Sequence, residues 1–134
     1  MKIHGIGVDI VDTNRFKKII KNNKIINRLF NQIEVKKCQK LFNKANYYAK
    51  RFAAKEAFSK AIGTGISNGI KFNEIVVTNN KFGKPYITLL GNTKKMINKN
   101  FKKRKFDIFL SLSDEKKIAI AMVIVSIWKK KYLK

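Results

Sequence analysis

The stretch RFAAKEAFSKAIGTGI, at Arg51–Ile66, decides the fold of this chain of 134 residues. Its alanines favour a helix, because alanine loses no side-chain entropy when a helix forms. Asn46 is predicted to cap the start of this helix, and Gly63 and Gly65 are predicted to end it in the left-handed conformation. One side of the helix is expected to be buried in a core: Ala54, Phe58, Ala61 and Ile62. A long central helix therefore organises the rest of the chain.

The polar residues of this helix are predicted to lie on its flank and its exposed face: Arg51, Lys55, Glu56, Ser59 and Lys60. Glu56 precedes Lys60 by four residues, and an ion pair in this order stabilises a helix by about 0.3–0.5 kcal/mol. A solvated ion pair is therefore one interpretation of Glu56. A role in chemistry is the other, and a second carboxylate in an unusual place supports it.

That second carboxylate is Asp9, in the apolar stretch KIHGIGVDIV at Lys2–Val11. The apolar residues of this stretch predict a strand that buries one or both faces: Ile3, Ile6, Val8, Ile10 and Val11. An aspartate in such a strand needs a partner, because burial of an unpaired charge is costly. Capping of the next helix is the alternative, but Asp12 and Thr13 are already placed for that task.

The charge of the chain is extreme, since 31 Lys and Arg residues against 8 Asp and Glu residues give a net charge of +23. Two explanations of this charge compete. It provides a positive electrostatic field for a polyanionic partner, or it reflects a compositional drift toward Lys, Asn and Ile. In either case the field attracts nucleic acid, phosphates and acidic proteins. The single cysteine, Cys38, excludes an intramolecular disulfide and fits a reducing compartment. Neither a signal peptide nor a membrane-spanning apolar run is visible, so a cytoplasmic protein with no membrane partner is expected.

The remaining periodicity predicts the element order β, helices, ββ, α, ββ. Strands are predicted at Phe72–Thr78, Pro85–Leu90, Phe106–Ser113 and Ile118–Trp128. Turn sequences at 79–84 and 114–117 join consecutive strands as hairpins, and a helix opens at Gly91. Adjacent hairpins favour antiparallel pairing. We therefore expect an α+β fold in which residues 1–134 form a single domain, with an antiparallel sheet and a long central helix.

Three motifs of the chain resemble those of the holo-[acyl-carrier-protein] synthases, the small class of 4'-phosphopantetheinyl transferases. They are GIGVDIV at Gly5–Val11, RFAAKEAFSKAIGTGI at Arg51–Ile66 and NNKFGKPYI at Asn79–Ile87. The motifs occur in the family's order, in a chain of the family's length. The resemblance implies an enzyme that transfers the 4'-phosphopantetheine arm of coenzyme A to a serine of apo acyl carrier protein. It releases adenosine 3',5'-bisphosphate and supports fatty acid synthesis, a part of lipid metabolism.

The resemblance also implies a magnesium site formed by Asp9 and Glu56. Mg²⁺ is typically held by one or two carboxylates together with substrate phosphate, and the family's metal bridges the pyrophosphate of coenzyme A. Glu56 is then the candidate to accept the proton of the attacking serine, directly or through a metal-bound water. Lys60 is the candidate to stabilise or protonate the leaving phosphate oxygen.

Coenzyme-binding residues follow from the same resemblance, because cations and backbone amides at these positions meet phosphates: Arg51, Lys55, Gly63, Thr64, Gly65, Lys84 and Pro85. A simple hairpin turn is an equal alternative for Lys84. Arg15 matches the family's docking position for the acidic carrier protein, and Arg28 is a candidate extension of that face. The family further implies a homotrimer with active sites between subunits, and the apolar strand Ile118–Trp128 suits either a trimer contact or a plain core.

One position departs from the family's pattern Ser-x-[Ser/Thr]-His, because the chain has Ser111-Leu112-Ser113-Asp114. Asp114 therefore stands where the family has a histidine that contacts the coenzyme or assists acid–base chemistry. Two interpretations of Asp114 stay open here. It is an acceptor for a metal-bound water, or it is a turn residue.

A nucleic-acid-binding module is the competing class of protein, supported by the charge of +23 and by interleaved aromatic residues such as Phe101, Phe106 and Tyr132. The chain has no helix-turn-helix, zinc-finger or RNA-recognition signature, and its charge is spread over its whole length. No specific nucleic-acid partner is therefore expected. A third interpretation is a structural protein that only binds partners. It gives no role to the carboxylates of Asp9 and Glu56.

Overall fold

The computed structural model describes residues 1–63 and 69–129. Its elements follow in this order: β1 (Lys2–Asp12), α1 (Asn14–Ile19), α2 (Asn23–Leu29), α3 (Gln32–Cys38), α4 (Lys44–Ile62), β2 (Ile75–Asn79), β3 (Pro85–Leu89), α5 (Gly91–Asn100), β4 (Phe106–Glu115) and β5 (Ile118–Ile127). A short 3₁₀ turn, Phe72–Glu74, precedes β2. The predicted α+β class and the predicted order of elements are confirmed.

The strands of the described residues form two antiparallel sheets. One has the strand order β1-β5-β4, and the other pairs β2 with β3. The turn between β4 and β5 is shorter than predicted, because Glu115 already pairs with Ile118. Only Lys116 and Lys117 remain for the turn, and Lys116 has a φ of 51°, as two-residue hairpin turns require.

Helix α4 begins and ends with recognisable caps. Asn43 caps its start, since the Asn43 side chain accepts a hydrogen bond from the backbone N–H of Asn46 at 3.1 Å. The predicted cap at Asn46 is therefore wrong, because the helix starts earlier, at Lys44. At the other end Gly63 has a φ of 84° and donates its N–H to the Ser59 carbonyl at 3.1 Å. This confirms the predicted end of the helix.

Two glycines allow β1 to lie directly against α4. A β-carbon at Gly5 would lie 2.0 Å from the carbonyl oxygen of Ala61, and one at Gly7 would lie 1.8 Å from that of Ala57. No larger residue fits at such distances. Asp9 is the next residue of β1 on this side, because side chains alternate along a strand. The backbone contact thus sets Asp9 beside α4.

The opposite face of the three-stranded sheet is exposed and apolar. Its outward side chains include Ile6, Val8, Ile10, Ile118, Ile120 and Met122. Val8 lies opposite Met122 in the register, so the apolar surface runs across both strands. The predicted burial of these β1 residues and of Ile3 is wrong for the single chain, whereas Val11 is buried as predicted. A helix covers only one face of this sheet.

Three local predictions have different outcomes. The apolar spacing over Ile33–Phe42 predicts a helix there, but α3 ends at Cys38. The first part of the predicted strand Phe72–Thr78 is the 3₁₀ turn. Thr13 is the N-cap residue of α1, and its side chain makes no cap hydrogen bond. Asp12, just before it, accepts a hydrogen bond at Oδ1 from the N–H of Asn14 at 2.9 Å. Asp9 is therefore not needed as a helix cap.

Candidate active site

Asp9 and Glu56 lie near each other where β1 contacts α4. Lys60 donates from Nζ to Asp9 Oδ1 at 3.0 Å and to the Val8 carbonyl at 2.9 Å. Burial and, next, the negative charge of Asp9 raise the pKa of the Glu56 carboxyl, while the charges of Lys60 and Arg15 oppose that rise. The fold therefore brings two carboxylates and a lysine into one cluster.

The ion pair predicted between Glu56 and Lys60 does not form. Lys60 pairs with Asp9 instead, and no ion pair of the described ranges joins Glu56 to Lys60. The partner that Asp9 was predicted to need is thus Lys60. The interpretation of Glu56 as half of a solvated ion pair is wrong.

The side chain of Glu56 lies on a cleft of about 550 Å³. Apolar residues such as Phe52 and Ile70 line the cleft, and Arg28 and Lys71 add positive charge to it. The exposed guanidinium of Arg15 lies 5.9 Å from the centre of the Phe52 ring, next to this cleft. The cleft therefore combines an apolar surface, a carboxylate and several cations.

Arg51 lies against a second cleft, of about 470 Å³, which Lys37 and Lys50 also line. Its guanidinium stacks 3.6 Å from the centre of the Tyr47 ring and donates to Asn79 Oδ1 at 2.8 Å. The predicted exposure of Arg51 is wrong, because only 7% of the residue is accessible. In the described part of the chain its Nε has no hydrogen-bond partner, and no carboxylate pairs with it. Burial lowers the pKa of this guanidinium.

Lys55 is fully buried, so its predicted place on the flank or exposed face is wrong. Its ammonium donates to Glu34 Oε1 at 2.6 Å, to the Leu29 carbonyl at 2.9 Å and to the Phe72 carbonyl at 2.8 Å. A lysine has three N–H donors, and these contacts use all of them. The predicted coenzyme contact of Lys55 is replaced by internal ones. Burial lowers the pKa of Lys55 to about 8, although Glu34 opposes the change.

Glu34 is a residue that the sequence analysis missed. Its carboxylate also accepts from the backbone N–H groups of Asn31 at 2.9 Å and Val77 at 3.1 Å. Asn31 and Glu34 form a capping box at the start of α3, and this spacing was a visible signal in the sequence. The motif does not reveal the partner Lys55, because that residue lies 21 positions away.

Asp114 is a strand residue and not a turn residue, since it pairs with Ala119 in the β4–β5 ladder. Asn46 donates from Nδ2 to Asp114 Oδ2 at 3.0 Å, and Lys50 Nζ lies 3.5 Å from Asp114 Oδ1. Both Asn46 and Lys50 line the second cleft. Asp114 therefore lies beside that cleft and neutralises part of its positive charge.

The remaining coenzyme-binding candidates lie at the ends of elements. Lys84 is exposed in the turn between β2 and β3, and Pro85 begins β3, paired with Asn79. Because Asn79 also accepts from Arg51, this hairpin lies next to the second cleft. Gly63 ends α4, and Thr64 and Gly65 lie outside the described residues.

Comparison with known proteins identifies the class to which this arrangement belongs. Residues 5–122 match the model of the 4'-phosphopantetheinyl transferase superfamily. The chain therefore belongs to that superfamily. The match contains Asp9, Glu56 and Asp114 together with the whole of α4 and β4.

Individual relatives agree with this assignment. The chain is 50% identical over 125 residues to the holo-[acyl-carrier-protein] synthase of Pelagibacter ubique, an alignment that covers 93% of this chain and 98% of that protein. Its fold is similar to the crystal structure of holo-[acyl-carrier-protein] synthase from Neisseria meningitidis, with a TM-score of 0.82 and 33% identity over 92% of this chain and 98% of that one. It is also similar to the Bacillus anthracis holo-(acyl-carrier-protein) synthase in complex with CoA (3',5'-ADP), with a TM-score of 0.77 and 33% identity over 93% and 97% of the chains.

Proposed function

We propose that this chain is a holo-[acyl-carrier-protein] synthase. It transfers the 4'-phosphopantetheine of coenzyme A to a serine hydroxyl of apo acyl carrier protein. The serine oxygen forms a bond to the phosphorus that carries the pantetheine arm, the phosphoanhydride bond to the nucleotide breaks, and adenosine 3',5'-bisphosphate leaves. The observation that carries the proposal is the closeness of the Asp9 and Glu56 carboxylates, which lie on β1 and α4 where the two backbones meet at Gly7.

The carboxylates of Asp9 and Glu56 fit a magnesium ion. Mg²⁺ prefers oxygen ligands and is usually bound by one or two carboxylates plus substrate phosphate, not by a cage of protein ligands. No cluster of three or more His, Cys, Asp or Glu residues that could hold a metal occurs in residues 1–63 and 69–129. The negative charge of Asp9 raises the pKa of Glu56, and a divalent cation held by these carboxylates would offset their repulsion. When bound, the ion would neutralise charge on the pyrophosphate.

Glu56 is the residue best placed to accept the proton of the serine hydroxyl. Its carboxylate lies on the cleft of 550 Å³ at which the carrier protein is proposed to dock, so it can reach the hydroxyl of a serine that enters this cleft. Lys60 is half-exposed and holds Asp9. Its ammonium is placed to stabilise negative charge that develops on the leaving phosphate oxygen.

Coenzyme A is proposed to place phosphate groups in the second cleft. A guanidinium without a carboxylate partner favours an anion, and Arg51 lines this cleft. Lys37 and Lys50 line the same cleft, with Lys84 nearby on the β2–β3 hairpin. The end of α4 at Gly63 is the proposed start of the coenzyme-binding surface that the resemblance to the family implies.

The carrier protein is proposed to dock at the first cleft through Arg15 and Arg28. Arg15 is exposed beside Phe52, and Arg28 lines the cleft that Glu56 also lines. Acyl carrier proteins are acidic, so a basic docking face is complementary in charge. This arrangement would bring the serine of the carrier close to Glu56.

We further infer that three copies of the chain assemble through the exposed apolar face of the three-stranded sheet. A contiguous surface of this kind, here with Val8, Ile10 and Met122, marks an interaction site. A closed homotrimer would cover it and supply a neighbouring wall to each coenzyme cleft. Sedimentation analysis tests this: we expect a trimer of the chain and a monomer or unfolded protein for Ile10→Lys, whereas a monomeric wild type contradicts it.

The proposed setting is the cytoplasm, where holo acyl carrier protein serves fatty acid synthesis. Cys38 is a free thiol in a buried position, as a reducing compartment permits. Among the described residues no helix is long and apolar enough to cross a membrane.

Intact-mass spectrometry of apo acyl carrier protein tests the proposed function. The carrier is incubated with the chain, coenzyme A and Mg²⁺, and parallel samples contain EDTA, Asp9→Ala or Glu56→Ala. We expect the carrier to gain the mass of one phosphopantetheine in the complete sample and none in the three others. If the chain is folded and the masses of several different carrier proteins all stay unchanged, the proposed transferase activity is contradicted.

A further inference from the structure

We infer that Lys55 is a positioning residue, which sets the geometry of the cleft next to Glu56. This inference rests on the proposed function, since it concerns the cleft at which the carrier protein docks. Lys55 and Glu56 are neighbours in α4, yet only Glu56 lies on the cleft. The side chain of Lys55 is buried beneath the residues that line the cleft, so it does not contact the substrate.

The contacts of Lys55 connect the two walls of this cleft. Its ammonium binds the carbonyls of Leu29, at the end of α2, and of Phe72, in the 3₁₀ turn. Both Leu29 and Phe72 line the cleft together with Glu56. One buried ammonium therefore fixes the distance between the two walls, and it does so from the residue next to the proposed base.

Glu34 fixes the ammonium in turn. Its carboxylate binds Lys55 at 2.6 Å and also binds the N–H groups of Asn31 and Val77. The start of α3 and strand β2 are thus tied to the same point. Each of the two buried charges is paired and hydrogen-bonded, as a buried ion pair requires.

Stability alone does not require this arrangement. Apolar residues of similar volume often replace a buried ion pair without loss of stability, or with a gain. An ammonium differs from such residues because it holds two carbonyl groups at fixed positions. We therefore expect the pair to matter more for the shape of the cleft than for the stability of the fold.

The test is a double variant, Lys55→Met with Glu34→Leu, which removes both charges and keeps most of the volume. In kinetics with both substrates varied, we expect the KM for the carrier protein to rise about 10-fold or more and the KM for coenzyme A to change much less, because Lys55 binds the carbonyls of Leu29 and Phe72, which line the carrier's cleft directly. Amide hydrogen exchange should become faster at residues 29–34 and 70–77 and stay slow in β5. Lys44→Met, on the exposed start of α4, is the matched control and should behave as wild type.

Glu34→Gln is the conservative variant, since it leaves Lys55 its two carbonyl contacts and should retain the carrier KM. If the double variant does not fold, Lys55→Gln with Glu34→Gln takes its place, with the same expected split between the two KM values. A folded double variant with wild-type kinetics and wild-type exchange overturns the inference. A wild type without transferase activity contradicts the proposed function instead, and the exchange measurement then still decides whether Lys55 holds the two walls.

Discussion

Two neighbouring residues of α4, Lys55 and Glu56, lie in opposite kinds of surroundings. Lys55 is fully buried, and all three of its donors are used inside the protein. Glu56 lies on a cleft, and burial together with the charge of Asp9 raises its pKa. The difference shows that the fold uses every hydrogen-bond donor of Lys55 internally, whereas it leaves the carboxylate of Glu56 accessible to a ligand in the cleft.

The largest expected effect concerns the site of Glu56, where removal of the divalent cation should stop the transfer reaction. EDTA should abolish transfer completely, because the carboxylates of Asp9 and Glu56 then face the pyrophosphate without a counter-charge. Added Mg²⁺ should restore the rate, whereas the melting temperature should change little. Carrier modification that continues in EDTA would show that these carboxylates work without a metal.

Loss of the Lys55 ammonium is expected to lower the free energy of unfolding. Lys55→Met should destabilise the fold by about 3–5 kcal/mol, because it leaves the Glu34 carboxylate buried without its charge partner. Urea unfolding measures this loss. Lys44→Met should stay within about 0.5 kcal/mol of wild type, since the surface position has no such partner. Equal effects of the two substitutions would contradict the distinction between buried and exposed lysines.

The contact that holds Asp9 beside α4 gives a smaller expected loss of stability. Gly7→Ala puts a β-carbon 1.8 Å from the Ala57 carbonyl oxygen, and overpacking of this kind costs about 1–3 kcal/mol. As β1 moves away from α4, Asp9 moves with it, so the transfer rate should fall more than stability explains. A variant with wild-type activity would show that the distance between Asp9 and Glu56 is not critical.

Substitution of Asp114 is expected to have the smallest effect, a change in the KM for coenzyme A. It holds Lys50 at the second cleft through a partly exposed ion pair, and such pairs contribute about 0.2–1 kcal/mol. Asp114→Asn frees Lys50 for a phosphate, so the KM for coenzyme A should fall by up to about 5-fold. The neighbouring strand residue Glu115, changed to Gln, is the control. A KM that rises instead would mean that Asp114 itself serves the coenzyme.

Much of the fold could be predicted because its signals are local. The end of α4 at Gly63, the two hairpins and the start of α1 after Asp12 and Thr13 each follow from a few adjacent residues. The prediction that Asp9 and Glu56 form one metal site came from the resemblance to the family. The structure shows that β1 approaches α4 closely at Gly7, which brings the two carboxylates near each other.

The surroundings of α4 and β1 could not be predicted, because they depend on distant segments. Helical periodicity puts Lys55 on a polar flank, but the end of α2, α3 and the 3₁₀ turn cover that flank. Ile6 and Val8 alternate in β1 with Gly5, Gly7 and Asp9, and α4 packs against the glycine face, so Ile6 and Val8 stay exposed in the single chain. No local pattern shows which face is covered.

The central claim is that Asp9 and Glu56 serve the chemistry and not the stability of the fold. Rates of carrier modification, measured together with melting temperatures for wild type, Asp9→Asn and Glu56→Gln, test it most directly. We predict rates lower by about 100-fold or more with the melting temperature of Glu56→Gln unchanged or higher, since the neutral amide removes the repulsion from Asp9. Variants that keep the wild-type rate but melt at lower temperature would contradict the claim.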